Sequence, residues 1–328
     1  MNNITMEDVA KAAGVSRSHV SLAYRDAYGI KPEVRDHILA VGKQLGYRPN
    51  RIAAQLAGKS NNSIGVYLQD LHNDLFADIY DGIREVTEPL GKHLVLAVGH
   101  TDGSLDSQAL DTLLESRVDV VIAAGLTLPD KALKAFTDKA KIVSVARVVA
   151  RADNVLSNNF AGAAKATRHL IDLGHKLVVF IANPDTDGYG DRRKGYLAVM
   201  DEARLQPQVV EGSYSRAATQ EIATSLLAQT PRPTAIFAHN DQAALGVMDA
   251  VITAGLKPGK DVSVVGYDNS TLSQSPSSAL TTVDIHGREL GRLAAQAALA
   301  RLEDDEQPFI NETIEPTLVV RSTTGLAR

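Results

Sequence analysis

Four consecutive residues near the start of the chain carry side chains that can bind a nucleic acid. They are Ser16, Arg17, Ser18 and His19, whose hydroxyl, guanidinium and imidazole groups can reach bases or phosphates. An arginine can bind guanine through two hydrogen bonds, which discriminates against other bases by about 1–3 kcal/mol. Arg17 is therefore the residue of this group that we expect to read a base.

Three short helices are predicted to position these side chains. Thr5 caps the first helix and Gly14 ends it. Ser16 caps the second helix, which runs from Arg17 to about Arg25, and Pro32 opens the third. Such a set suits either a DNA-binding helix-turn-helix or a protein-binding bundle. The polar start of the second helix favours DNA, because that end enters the major groove in helix-turn-helix proteins.

The charge of the chain is unevenly distributed. The whole chain has a formal net charge of −5, which by itself argues against nucleic acid. Residues 1–60, however, contain nine Lys or Arg and five Asp or Glu, so this segment carries +4 and the remainder −9. A basic head on an acidic body fits a phosphate-binding module joined to a domain that does not bind DNA. A difference of this size also arises by chance.

The sequence GYRPNRIAAQLAGKSNN follows the third helix. Its stretch Arg51–Leu56 is long enough for about two helical turns. A helix this short does not form alone, because nucleation is unfavourable. The segment is therefore either a plain linker or a helix that forms only on DNA beside its dimer mate, with Leu56 as an apolar wedge in the minor groove.

The segments TMEDVAKAAGVS, GYRPN and NRIAAQLAGK resemble the lac repressor/galactose repressor family, and the similarity extends over essentially the whole chain. It implies that Arg17, Ser18 and Leu22 read the major groove and that paired hinge helices insert Leu56 at the operator centre. Leu22 suits a thymine methyl, and His19 stands where the family usually has Thr, so the operator should differ from those of the best-known members. The predicted DNA contacts are Thr5, Ser16, Arg17, Ser18, His19, Ser21, Leu22, Tyr24, Arg25, Lys31, Asn50, Arg51, Ala53 and Leu56.

From residue 62 the sequence alternates between apolar strands and amphipathic helices. The predicted strands are 63–68, 93–98, 118–124, 141–146, 176–182, 234–239, 261–267 and 316–322, and the helices lie near 75–90, 105–116, 130–139, 160–173, 190–204, 216–229, 240–255 and 287–303. Alternating units of this kind form parallel sheets. The predicted fold is thus a small all-α head plus an α/β body with two doubly wound lobes, which the resemblance implies are of the periplasmic-binding-protein type.

Open parallel sheets bind ligands beyond the carboxyl ends of their strands, so the cleft between the two lobes is the expected site. Phe76 falls there as an aromatic wall or simply as core. Asn240 and Asp241 either face the ligand or cap the helix that they begin. The predicted ligand-binding residues are Asp70, His72, Phe76, Arg147, Tyr189, Arg192, Asn240 and Asp268.

The resemblance assigns further roles within this set. It implies that Arg192 binds effector hydroxyls or carboxylates, that Asp268 accepts from a sugar hydroxyl, and that Arg147 follows the fourth strand where the family often has Arg. A guanidinium offers paired donors that suit neighbouring oxygens. Asn158 departs from the family, which usually has Asp there, so less negative charge is available to the ligand.

These predictions divide the chain into three parts. Residues 1–48 form the helix-turn-helix domain, 49–61 the hinge helix and linker, and 62–328 the effector-binding and dimerisation domain. The resemblance implies that the chain crosses back between the lobes, so lobe one comprises about 62–157 and 286–315, and lobe two about 158–285 and 316–328. No family-type tetramerisation tail follows, so we expect a homodimer.

Several protein classes are disfavoured by the composition and motifs. The absence of cysteine excludes disulfides, thiolate catalysis and zinc fingers. Neither GxSxG, GxxxxGK[ST] nor HExxH occurs, and the histidines are dispersed, with His169 and His175 expected at the surface or in loops. We therefore expect no enzyme and no cofactor or metal. No apolar run approaches the roughly 20 residues of a membrane span, and the polar N-terminus lacks signal-peptide features. The expected location is the bacterial cytoplasm, with nucleoid association when bound to the operator.

The sequence thus predicts a ligand-responsive, sequence-specific transcription regulator that binds a pseudo-palindromic duplex operator as a homodimer. We expect a repressor of sugar or polyol metabolism genes that a small-molecule inducer releases. A corepressor-activated regulator that responds to a purine or sugar phosphate is the alternative, since Arg147 and Arg192 together would suit an anion. An exported solute-binding protein shares the two-lobe body but would carry a signal peptide in place of the DNA-binding head.

Overall fold

The computed structural model describes residues 4–24, 28–47, 62–183 and 190–328. The chain divides between residues 61 and 62 into two compact units. The described part of the first unit contains helices and turns, whereas the second unit alternates strands with helices. None of the described helices is both long and apolar enough to cross a membrane.

The helices of the first unit are α1 (Met6–Ala13), α2 (Arg17–Tyr24) and α3 (Pro32–Leu45). The predicted cap of α1 is present: the Thr5 hydroxyl accepts from the backbone N–H of Asp8, and the Asp8 carboxylate accepts from the Thr5 N–H at 2.8 Å. Gly14 ends α1 with φ 65°, a left-handed conformation that glycine adopts without strain. The core is formed by one fully buried residue from each helix, namely Val9, Val20 and Ile38.

The second unit contains two six-stranded sheets, one in each lobe. The strands of lobe one are β1 (Ser63–Leu68), β2 (His93–Val98), β3 (Val120–Ala124), β4 (Ile142–Val145), β5 (Asp153–Ser157) and β11 (Asn311–Ile314), in the order β11-β5-β4-β3-β1-β2. Those of lobe two are β6 (Val178–Ala182), β7 (Gln208–Glu211), β8 (Ala235–Ala238), β9 (Ser263–Asp268), β10 (Thr281–Asp284) and β12 (Thr317–Val319), in the order β12-β10-β9-β8-β6-β7. Neighbouring strands run parallel except β10 and β12.

Helices cover both faces of each sheet, as in a doubly wound fold. They are α4 (Asp74–Thr87), α5 (Asp106–Glu115), α6 (Asp130–Thr137), α7 (Asn159–Asp172), α8 (Gly190–Glu202), α9 (Arg216–Leu227), α10 (Asp241–Thr253), α11 (Thr271–Gln274) and α12 (Gly287–Glu303), with a 3-10 turn at Glu88–Leu90. In lobe one, α4 and α12 cover one face while α5 and α6 cover the other. In lobe two, α7 and α8 oppose α9 and α10.

The chain passes between the lobes three times. It leaves lobe one after β5, returns after β10 through α12, and leaves again between β11 and β12. The buried Arg301 on α12 donates two hydrogen bonds, at 3.0 and 2.9 Å, to Asp153 at the start of β5. Neither lobe is therefore contiguous in sequence.

Two features of the body differ from the sequence prediction. The strands β5, β7, β10 and β11 are not predicted, because their sequences DNVLS, QVVE, TTVD and NETI are too polar to stand out. His175 lies in a loop, as the sequence analysis allows, but its ring is buried and not at the surface: its two nitrogens lie 2.9 Å from the hydroxyls of Thr234 and Ser263.

Candidate functional site

The start of α2 presents the polar edge that the sequence predicts. Arg17, Ser18 and His19 are exposed, whereas Val20 and Ala23 on the opposite side of the helix are buried in the core of the first unit. Burial of one side of α2 leaves the other available to DNA. The contacts themselves remain a prediction.

Ser16 orients the first turn of α2. Its hydroxyl accepts from the backbone N–H of His19 at 3.2 Å and lies 2.9 Å from the Nδ1 atom of the same residue. Of the other predicted contacts, Thr5 and Lys31 are exposed, and Ser21 and Leu22 are half-buried.

Tyr24 packs more deeply against the rest of the head than contact with the DNA backbone requires. A Cβ atom on Gly42 would lie 1.9 Å from the Tyr24 hydroxyl, so α3 passes directly over this ring. The ring also meets Tyr47 edge-on, with a centroid separation of 5.2 Å. Tyr24 therefore joins α2 to α3, whatever contact it makes with DNA.

Six predicted contacts lie outside the described residues: Arg25, Asn50, Arg51, Ala53, Leu56 and Tyr189.

The second candidate site is a cavity between the two lobes. It lies where the carboxyl ends of the strands converge, as expected for doubly wound sheets. Its volume is about 20 Å³, far below the roughly 300–1,000 Å³ of small-molecule pockets, so the two lobes must move apart to admit a ligand. Its lining consists of Gln69, Asp70, Asn73, Leu75, Phe76 and Thr101 from lobe one, and Asn183, Arg192, Tyr214, Asn240 and Asp268 from lobe two.

Arg192 lies on the first turn of α8 with its side chain 3% exposed. Its Nε donates to Asn159 at 2.8 Å, and another nitrogen donates to the backbone carbonyl of His239. The guanidinium stacks on the ring of Tyr267, with its central carbon 3.8 Å from the ring centroid. These contacts fix the orientation of the guanidinium in the cavity wall.

Asp268 ends β9 and is held in an unusual state. Its backbone has φ 108°, a left-handed region that strains any residue other than glycine. Its Oδ1 atom is buried without a hydrogen-bond partner among the described residues and lies 3.7 Å from Arg192. Burial raises the pKa of Asp268 to about 7, against the opposing effect of the Arg192 charge. Backbone strain and an unsatisfied acceptor at one position are typical of a binding site.

Asn240 and Asp241 differ in role. Asn240 caps α10, since its side-chain oxygen accepts from the N–H of Ala243 at 2.8 Å, and it also lines the cavity. The buried Asp241 instead accepts from the Thr282 hydroxyl at 2.6 Å and from the backbone N–H of Ser270 at 2.7 Å. Burial raises the pKa of Asp241 to about 6. Asp241 thus braces the loop that follows Asp268.

Two predicted ligand contacts do not line the cavity. His72 is 95% exposed, and its ring and backbone N–H donate toward Asp70, which does line it. The guanidinium of Arg147 donates to the carbonyls of Leu126 and Leu128 and to the Asp130 carboxylate. Both residues were predicted because they follow a strand. In the fold, however, Asp70 contacts the His72 ring, and carbonyls and Asp130 bind the Arg147 guanidinium. Phe76 serves both readings, since it lines the cavity and is also core.

Several lining residues are absent from the prediction. Gln69 and Asn183 directly follow β1 and β6, so the rule that selected Asp268 would have found them. Thr101 and Tyr214 come three residues after β2 and β7. Tyr214 was out of reach because β7 itself was not predicted.

Within the described part of the chain, three hydrogen bonds join the lobes beside the cavity. They all involve the turn 72–74: Asn73 donates to Asp268 at 3.4 Å, Gln242 donates to the His72 carbonyl at 3.0 Å, and the Leu272 N–H donates to Asp74 at 3.3 Å. The turn therefore connects lobe one to three separate elements of lobe two. Opening the cleft requires breaking these bonds.

Comparison with known proteins gives matches along the whole chain. Residues 5–50 match the family of bacterial regulatory proteins called the lacI family, and residues 167–324 match the periplasmic binding protein-like domain. The ribose operon repressor of Haemophilus influenzae is 30% identical over 97% of this chain and 98% of its own length. The HTH-type transcriptional repressor PurR of Vibrio parahaemolyticus is 30% identical with the same coverage. The lac repressor dimer bound to operator and the anti-inducer ONPF matches with a TM-score of 0.87 at 29% identity, over 99% of this chain and 100% of that chain.

Proposed function

This chain belongs to the lacI family of bacterial regulatory proteins, and we propose that the effector that controls it is a neutral sugar or polyol. It is a ligand-responsive transcription repressor that binds operator DNA through its head. The observation that carries the effector proposal is the charge of the cavity. Among the described lining residues Arg192 is the single cation, and Asp70 and Asp268 supply two acidic side chains.

Unsatisfied polar atoms support a ligand with several hydroxyl groups. Gln69 Nε2, Asn183 Oδ1 and Asp268 Oδ1 are buried without hydrogen-bond partners among the described residues. A buried polar group without a partner costs about 1–3 kcal/mol, so a ligand that meets these atoms gains affinity. A hydroxyl both donates and accepts, and can therefore satisfy the amide nitrogen as well as the two oxygens. Phe76 and Tyr214 supply apolar surface beside them.

The same geometry disfavours an anionic effector. The argument for a sugar phosphate needs Arg147 and Arg192 to act together, but the Arg147 guanidinium is engaged by two carbonyls and by Asp130 outside the cavity lining. One guanidinium beside two acidic side chains offers a phosphate little net attraction. Ribose is the first sugar to test, because a ribose operon repressor is among the similar proteins.

The effector acts by changing the arrangement of the two lobes. A ligand that bridges Gln69 on lobe one and Asp268 on lobe two binds one arrangement of the lobes more tightly than another, and it can shift their equilibrium only by that difference. In the homodimer the lobes that follow the two hinges would move with it, which alters the fit of the two heads to the half-sites.

The test uses full-length protein and a duplex site selected from a random library. Operator binding is measured by fluorescence anisotropy with D-ribose, D-glucitol, D-galactose, ribose 5-phosphate or adenine added. We expect a neutral sugar or polyol to release the operator. If only ribose 5-phosphate or adenine acts, the effector proposal is wrong. If no duplex is selected, the regulatory function itself fails.

A matched pair of arginines sharpens this test. Arg192→Ala should abolish the response to the effector while operator binding persists, because the residue lies in the cavity and far along the chain from the head. Its neighbour Arg193 is exposed on the same helix, so Arg193→Ala should respond as the parent does. Equal loss in both variants would contradict the assigned site.

A further inference from the structure

We propose that His239 is a positioning residue of the effector site, whose buried ring holds Tyr214 in the wall of the cavity. The inference rests on the proposed function, because it concerns how the effector is gripped. It goes beyond that function in naming a residue that does not line the cavity.

His239 is buried in a way that packing alone does not explain. It follows β8 directly and is completely buried, and neither ring nitrogen has a hydrogen-bond partner among the described residues. An apolar side chain of similar size would fill this space without leaving polar atoms unpaired. The buried imidazole therefore offers more than packing requires, and its neighbours lie in the cavity wall.

The ring of His239 meets the ring of Tyr214 edge to face. The centroids are 5.3 Å apart and the planes are at 90°, which lies within the preferred geometry of aromatic pairs. Tyr214 is half-buried and lines the cavity. On another side, a Cβ atom at Gly212 would lie 3.1 Å from His239 Nδ1, so the glycine leaves the imidazole its space.

The backbone of the same residue supports the opposite polar wall. The His239 carbonyl accepts from the Arg192 guanidinium, so one residue braces both the cation and the aromatic ring of lobe two. Burial, together with the charge of Arg192, lowers the pKa of His239 to about 3. The ring is thus neutral at neutral pH and does not repel the guanidinium beside it.

The orientation of Tyr214 matters for which ligands fit. An aromatic ring offers its face to the apolar C–H side of a sugar, and a tilt of that ring changes which stereochemistry packs against it. A tyrosine held by His239 therefore favours one sugar shape over its epimers. Release of the ring should weaken binding and reduce this selectivity together.

The first test needs no effector. The chain contains no tryptophan, so Tyr214→Trp introduces a single fluorescent reporter at the cavity wall. In this background we compare His239, His239→Ala and His239→Phe by acrylamide quenching of the full-length protein. An aromatic contact is worth about 0.5–1.5 kcal/mol, so its loss should increase the ratio of released to held rings at least roughly twofold. We expect a corresponding rise in quenching for His239→Ala and recovery with His239→Phe. Identical quenching in all three would overturn the proposal.

The second test is a double-mutant cycle on sugar affinity. The probe is whichever of D-ribose, D-glucitol and D-galactose raises the melting temperature of the full-length protein most. His239→Ala should raise the Kd for this sugar about 3- to 10-fold. The same change should have little further effect in a Tyr214→Ala background. Independent, multiplying effects of the two substitutions would contradict the assignment. His93→Ala, on the exposed edge of β2, is the control and should leave Kd unchanged.

These outcomes separate the two proposals. Operator affinity without sugar and far-ultraviolet circular dichroism report whether each variant is folded. If no sugar acts on the repressor, the proposed effector class fails, but the quenching experiment still decides whether His239 holds the ring.

Discussion

Asp268 has three energetically unfavourable features within the proposed effector site. It combines a strained backbone, a buried oxygen without a partner among the described residues, and a pKa raised by burial to about 7. Its other oxygen accepts from Asn73 across the cleft. A residue in this state stores unfavourable energy that a ligand with hydroxyl donors can relieve.

Replacement of Asp268 by Asn should separate affinity from stability. Loss of a hydrogen bond to a charged group costs about 1.5–3 kcal/mol, so we expect effector affinity to fall about 10- to 100-fold by calorimetry. Stability should change in the opposite direction. The folded protein holds the Asp268 proton more tightly than the unfolded chain, so ionisation destabilises the fold as pH rises from about 4 to 7.

The free energy of unfolding of Asp268→Asn should therefore exceed that of the parent by an amount that grows between pH 5 and pH 7. Above pH 7 this difference should stay constant. Urea titrations of both proteins at several pH values measure it. A difference that does not change with pH would mean that Asp268 is ionised throughout.

His175 should give the opposite pH dependence. Its ring lies between Thr234, Ser263 and the Gly325 carbonyl, and burial lowers its pKa below the usual 6.5. The folded state therefore favours the neutral ring, and this stability is present above pH 6.5 and lost as pH falls toward the folded pKa. In urea titrations the stability advantage of the parent over His175→Gln should shrink from pH 7 to pH 5. A constant difference would contradict the assignment.

Among the elements, the closest packing joins α4 to α12 in lobe one. A Cβ atom at Gly82 would lie 2.0 Å from the Arg288 carbonyl oxygen, and one at Gly291 would lie 2.0 Å from that of Ile79. The two glycines therefore allow the helix backbones to touch. This contact seats α12 over β3, β4 and β5, and thus fixes the segment that returns from lobe two.

Gly291→Ala tests this packing against helix propensity. Propensity alone predicts a gain of about 1 kcal/mol, but the added methyl must push apart two backbones, and overpacking typically costs about 1–3 kcal/mol. We expect a net decrease in the free energy of unfolding by chemical denaturation. Gln296→Ala, exposed on the same helix, should change stability by less than about 0.5 kcal/mol. A more stable Gly291→Ala protein would show that the helices can separate freely.

The elements also show what the sequence could and could not predict. The helices of the body and the apolar strands were predictable, because burial on both faces leaves a continuous apolar run. β10 was not, because its buried Thr281 and Thr282 are satisfied by Thr324 and Asp241, which are distant in sequence. In the site, a position at the end of a strand selected Asp268 and the family resemblance selected Arg192. Neither criterion could exclude Arg147, since only the fold shows that local carbonyls occupy that side chain.

For the molecule as a whole, the proposal that the cavity controls the head requires the two to be linked thermodynamically. If the effector weakens operator binding by some factor, the operator must weaken effector binding by the same factor, which is typically about 5- to 150-fold. Titration of the effector with and without saturating operator measures this factor. Equal effector affinity in the two titrations would contradict control of DNA binding through this cavity.

The predicted hinge gives a second test at this scale. Leu56 lies outside the described residues, and its role as a minor-groove wedge is a prediction from sequence. Leu56→Ala should weaken binding to the selected operator much more than binding to random duplex, because a wedge contributes only where the DNA bends to receive it. Equal losses on both DNAs would exclude the wedge. The salt dependence of both should persist, since the basic residues that contact phosphate are unchanged.

The threefold passage of the chain between the lobes has a consequence for synthesis on the ribosome. Lobe one is made first, yet its sheet is completed only by β11, near the end of the chain. Until then the edge of β5 awaits its partner, and an exposed edge of this kind invites pairing with other nascent chains. Asp153 and Asn154 stand at that edge, and polar groups there discourage such pairing. By this principle, the polarity that hides β5 from sequence prediction disfavours mispairing at its edge until β11, the last strand of that sheet, emerges.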